Sequence, residues 1–264
     1  MRFLIIFFTV TFSISSCAFG QTGIKSVLIV GDSNLKGNFG EYLQKDMHET
    51  GKYDVLSIAI GGAGSKTFLP KMKNQCCGYR VRQTCAGDSL IKIKKSKESK
   101  VPVLERAEKP TTGVIMKLFN GNLSDVIKAW KADAVIIVLG TNYLNAHEEL
   151  LKIIKSYNVN IPIIWIGPFD KNTSTGRYAL IEKALEGNSN CLLVKSDSIV
   201  SKIGIIPNHF YGTDAKKLAD AIFKQFEPFL NTSLTIEEMK RKLFSSLMTT
   251  RWFKFQLPES LGKY

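Results

Sequence analysis

Histidine is scarce in this chain, and so is acid. Three histidines stand among 264 residues, and 23 Asp and Glu face 36 Lys and Arg, for a formal net charge of +13. Any chemistry that needs an imidazole base can therefore draw only on His48, His147 or His209. The cysteines lack zinc-site spacing and no phosphate-binding Gly-Lys-Ser/Thr motif occurs, so no metal and no nucleotide cofactor is implied. No internal repeat or low-complexity segment breaks the chain. The apolar run over residues 3–12 is too short to cross a bilayer as a stable helix.

That run follows one Arg and precedes small residues, which is the plan of a secretory signal peptide. Ala18-Phe19-Gly20 fits a small-x-small cleavage site, giving a signal over 1–20. Ile14-Ser15-Ser16-Cys17 fits a bacterial lipobox, giving a lipoprotein signal over 1–16 with membrane anchoring through lipid on Cys17. Both readings expect an exported protein: periplasmic, an outer-membrane lipoprotein, or secreted. Loss of the first 20 residues removes Arg2 and no acid and leaves a charge of +12. Cys76, Cys77, Cys85 and Cys191 remain, an even number in an oxidising compartment where disulfides persist. Two bridges and three pairings are open, with Cys191 expected to pair with one of the other three. A protein of this charge is drawn to anionic partners such as cell-wall polymers, acidic glycans or anionic membranes. Nucleic acid is disfavoured, because export removes the usual target. Nothing in the sequence bears on oligomeric state.

Short runs rich in Val, Ile and Leu at 26–30, 53–60, 134–139, 162–166 and 191–195 read as buried strands. Stretches with helical spacing of apolar residues lie at 39–49, 123–130, 148–157, 177–186 and 215–229. Strands alternating with helices predict an α/β fold, a mainly parallel five-stranded sheet covered on both faces. Residues 66–110 break this rhythm: they hold three cysteines and a net +8, and are expected to form an irregular basic insertion pinned by disulfides. Beyond the domain over 21–230, a tail over 231–264 carries Thr235-Ile236-Glu237-Glu238, a capping box expected to open a separate helix to about Leu247.

Ligands on parallel sheets bind at the carboxyl ends of the strands. The first strand ends in Gly31-Asp32-Ser33, the second in Gly61-Gly62-Ala63-Gly64-Ser65 and the third in Gly140-Thr141-Asn142. Ser33 stands at a strand-to-helix turn, where backbone N–H groups favour negative charge. Glycines let a backbone N–H approach closely, and an Asn amide adds a donor, so the three ends together describe an oxyanion hole around a serine. The serine needs a base. His48 and His147 fall on helices, whereas His209 sits in the loop before the last helix, on the same rim as Ser33. Ser65 and Thr141 read as turn residues. Each motif also has a plainer use: Asp32-Ser33 and Asn142 as helix caps, Gly62 as a tight-turn glycine with Gly61 as its rival, the basic run as a solvated face.

Four blocks in order, "VGDSN", "IGGAGS", "GTN" and "NHF" before an amphipathic helix, resemble the SGNH (GDSL-type) esterases and acyl hydrolases over most of residues 24–229. The resemblance implies a flavodoxin-like three-layer α/β/α fold and acyl transfer through a serine ester. It implies Ser33 as nucleophile, His209 as base, and Ser33, Gly62 and Asn142 as oxyanion donors. Two positions depart from the family. Ile206 stands where an acid usually precedes the histidine by three, and Tyr143 follows the third block where many members have Asp. Asp197, Asp214 or a backbone carbonyl are the candidates to orient the imidazole, and a Ser33–His209 dyad is the preferred reading. The substrate expected is an acylated, anionic glycan or cell-wall polymer losing small acyl groups, chiefly acetyl. The alternatives are a polysaccharide O-acyltransferase, a lipase-like esterase and a catalytically inactive glycan-binding relative.

Overall fold

The computed structural model describes residues 23–69, 72, 77–88, 101–107, 122–142, 145–205 and 210–254. The signal segment with Cys17, Cys76, Tyr143, Ile206, His209 and the basic run around Lys92 to Lys97 lie outside them. The chain opens with β1 (Lys25–Gly31), the one-turn helix α1 (Ser33–Lys36), α2 (Asn38–Glu49) and β2 (Tyr53–Ile60). A 3-10 turn (Ser65–Phe68), β3 (Tyr79–Thr84) and β4 (Val103–Ala107) follow, then α3 (Leu123–Trp130), β5 (Ala134–Val138) and α4 (His147–Tyr157). The domain finishes with β6 (Ile163–Ile166), α5 (Lys171–Leu185), β7 (Cys191–Val194), α6 (Ser196–Lys202) and α7 (Gly212–Lys254).

The sheet has seven strands in the order β4-β3-β2-β1-β5-β6-β7. Its five parallel strands run β2-β1-β5-β6-β7, the flavodoxin-like order, with the chain reversing direction at β1. Helices cover both faces, which is why the parallel strands read as nearly uniform apolar runs. Side chains alternate along β1: Leu28 and Val30 join one core cluster with residues of α3, α4 and α5, while Val27 and Ile29 join the other with α2 and α7. All five expected strands are present.

Three expectations are corrected. The sheet is larger than five strands because part of the basic insertion joins it: β3 pairs antiparallel with β2, and β4 with β3. The segment Tyr-Arg-Val-Arg-Gln-Thr has the period of two that a strand needs, with Tyr79 and Val81 in the core, but its arginines disguise it as surface. Next, Cys191 is a free, half-buried thiol and not a bridge partner, whereas Cys77 and Cys85 are disulfide-bonded. Finally, no separate helix begins at Thr235. α7 runs on without a break, past Pro228, and Thr235 Oγ1 donates back to Asn231 O at 2.9 Å in mid-helix instead of capping a start.

Candidate active site

β1 delivers the chain to the rim of the sheet at Gly31, where any larger residue would strike Leu35 and Val138 at under 3 Å. Asp32 then turns the chain into α1. It is fully buried, and its Oδ1 accepts from Asn34 N at 2.8 Å and Asn34 Nδ2 at 3.1 Å, so the N-cap is made by the residue beside Ser33. Burial pushes the Asp32 carboxyl up to about 6, against the opposing pull of the Asn34 hydrogen bonds. Ser33 is left half-buried as the first residue of the helix, where a backbone N–H has no intrahelical acceptor.

The second block turns sharply between Ile60 and Ala63, whose N–H donates to Ile60 O at 3.1 Å. Gly62 has φ +75°, a conformation that side chains disfavour. Gly61 packs against Cys77, and its N–H donates to Gly78 O at 2.8 Å. That bond occupies the donor of the rival glycine. Among the described residues no acceptor is bonded to the Gly62 N–H.

The third block is tied to the second. Asn142 Nδ2 donates to Ala63 O at 2.8 Å, which uses one amide hydrogen and leaves the other. Asn34 Nδ2 reaches Thr141 Oγ1 at 3.4 Å, so the first and third blocks also touch. Ser33, Gly62 and Asn142 line one cleft of about 570 Å³, together with Asn34, Lys36, Arg80, Phe210 and Tyr211. Three of the four sequence-expected site residues therefore meet, and Phe210, the neighbour of the fourth, reaches the same cleft. Phe210 is held there by Phe169, 5.5 Å away between ring centres, which in turn packs on Phe39.

The candidates for the displaced acid lie elsewhere. Asp197 Oδ1 accepts from Tyr178 Oη at 2.8 Å and from Ser198 N at 2.7 Å, and Asp214 is exposed in the first turn of α7. Neither lines the cleft.

Several supporting residues were not legible as such. Ser65 and His147 form a buried pair, Oγ to Nδ1 at 2.5 Å, that joins the second block to the start of α4; burial pushes the His147 imidazole below its usual value. Arg177 on α5 donates to Gly140 O at 3.0 Å and to Thr141 O, holding the loop that carries Asn142. Arg82 on β3 does the same for α1. The alternation in β3 was the one sequence signal for Arg82. Nothing local marked the others, because each partner lies more than 30 residues away.

No family model matches the chain, and no curated protein does. Among solved structures, the chain is similar to a peptidoglycan O-acetylesterase at 12% identity and TM-score 0.46, over 80% of this chain and 93% of that one. It is also similar to a DUF4886 family protein from Bacteroides uniformis (13%, TM-score 0.35, 69% of this chain and 65% of that one). A third likeness is to an acetyl xylan esterase from Butyrivibrio proteoclasticus (13%, TM-score 0.36, 79% and 65%). At these scores the likenesses add no weight to the site, which stands on its own geometry.

Proposed function

We propose that the protein is an exported serine esterase that removes small O-acyl groups, chiefly acetyl, from an envelope polysaccharide or other anionic glycan. The observation that carries this reading is the meeting of Ser33, Gly62 and Asn142 in one cleft, from the carboxyl ends of three different strands. Capping and turn formation alone would require none of these residues to meet. In the proposed reaction Ser33 Oγ attacks the acyl carbonyl carbon as His209 takes the hydroxyl proton. The oxyanion accepts from the Ser33 and Gly62 N–H groups and the free Asn142 amide hydrogen. The bond to the sugar oxygen then breaks, and His209 returns the proton to that oxygen. Water, deprotonated by His209, attacks the acyl-serine and frees the acid and Ser33. Lys36 and Arg80 on the cleft wall favour a polymer that carries negative charge near its ester.

The test compares wild type with Ser33→Ala on a small chromogenic acetate. The variant is expected to unfold at the same temperature and to lose roughly 10³-fold or more in kcat. Activity retained in a folded Ser33→Ala would remove the serine mechanism, and a folded wild type without activity would leave the glycan-binding reading.

A further inference from the structure

Arg82, at the middle of the basic strand β3, is wholly inside the protein. Among the described residues no carboxylate bonds to its guanidinium. Nη1 donates instead to Leu35 O at 2.9 Å, and Nη2 donates to Lys36 O at 2.5 Å and Gly37 O at 3.1 Å. These are successive carbonyls at the end of α1, the one-turn helix that Ser33 begins. A helix leaves its last carbonyls without intrahelical donors, and a buried guanidinium is costly unless its donors are used. The two Nη groups meet that need at Leu35 and Lys36, while Gly37 O also accepts from Glu41 N at 3.3 Å and Arg82 Nε has no hydrogen-bond partner among the described residues. A planar guanidinium spans three carbonyls from one side chain, which an ammonium point charge does less well. Burial, with a smaller push from Arg80, draws the Arg82 guanidinium down to about 9, so it remains charged at neutral pH. Asp32 fixes the other end of the same turn.

We infer that Arg82 is a positioning residue for the nucleophile: its guanidinium holds the α1 turn so that Ser33 keeps one orientation at the cleft wall. Arg82 does not itself line the cleft, so it acts through the turn. The inference rests on the reading of Ser33 as nucleophile, and it gives the β3 strand a part in the site beyond any contact with polymer.

The experiment uses Arg82→Lys and Arg82→Ala in the full chain with three readouts. In folded Arg82→Lys, kcat for the chromogenic acetate is expected to fall ten- to hundredfold with KM within threefold of wild type. Amide exchange at Lys36 and Gly37, whose N–H groups bond Asp32 O at 3.0 Å and Ser33 O at 3.1 Å, is expected to quicken at least tenfold. In Arg82→Ala, millimolar guanidinium chloride is expected to restore at least fivefold of the lost kcat, and sodium chloride none. A folded Arg82→Lys with kcat within twofold and unchanged exchange overturns the inference. So does a loss that tracks the folded fraction alone, or an Arg82→Lys that does not fold, since either would make Arg82 a requirement of the fold and not of the site. A wild type that hydrolyses no ester sinks the serine reading instead, and the exchange readout still judges the clamp.

Discussion

Asp32 and Ser33 are neighbours with opposite tasks: the first is sealed in the core to cap a helix, the second stands at the cleft. The sealed carboxyl has a consequence for stability. Native Asp32 keeps its proton up to about pH 6, while an unfolded chain releases it near 3.8. Between those values the native state binds more protons, so stability from this group falls as pH rises through the window and stays lower above it, by about 3 kcal/mol. Asp32→Asn keeps an oxygen for the cap and has no proton to lose. Thermal unfolding of the variant, followed from pH 4 to 8, is expected to gain on wild type across pH 4–6 and hold that gain above; a constant difference over the whole range would contradict the account. The proposed Ser33–His209 dyad is also a matter of single residues. With Asp197 bonded to Tyr178 and Asp214 exposed at the start of α7, Asp197→Asn and Asp214→Asn are each expected to keep kcat within tenfold of wild type. A triad that loses its orienting acid drops about 10⁴-fold, so a loss beyond a hundredfold in either would identify that residue as the third member.

At the scale of elements, what the sequence showed depended on how far a signal had to reach. Four of the five parallel strands, β1, β2, β5 and β6, announce themselves because they are buried on both faces, as in Val27 to Val30, and such burial leaves a nearly uniform apolar run; β7, at the sheet edge, is half-buried except at Val194. Their carboxyl ends, and with them Ser33, Gly62 and Asn142, follow from that reading. β3 was hidden because one inward position is Arg82, whose reason for burial is a set of carbonyls 45 to 47 residues earlier in the chain. The start expected at Thr235 failed for a related reason. A Thr-x-x-Glu pattern caps a helix only where the chain arrives from outside one, and here α7 arrives already helical from buried Phe226, Leu230 and Leu234. Ser65 and His147 are 82 residues apart and meet only because the second and third blocks share a rim.

The whole molecule carries +13, and the segment around β3 and β4 holds a large part of it. The sheet edge made by these strands lies beside the strand that supplies Gly62, and Arg80 and Lys36 continue positive charge into the cleft. Under the proposed reading, this charge would gather an anionic polymer without taking part in the chemistry. Reversing Lys92, Lys94, Lys95 and Lys97 is therefore expected to weaken binding to envelope polysaccharide at least fivefold at low salt, and less at high salt where exposed charges are screened. Hydrolysis of a small neutral acetate is expected to stay within twofold. Equal polymer binding by the reversed variant would reduce the basic run to a solvated surface. The catalytic expectations depend on one residue being an activated nucleophile, which can be read directly. Wild-type protein treated with a serine-reactive fluorophosphonate and mapped by peptide mass spectrometry should carry a single adduct, on Ser33, with no adduct in Ser33→Ala. A folded protein that stays unlabelled, or that is labelled at another residue, would contradict the account at its centre.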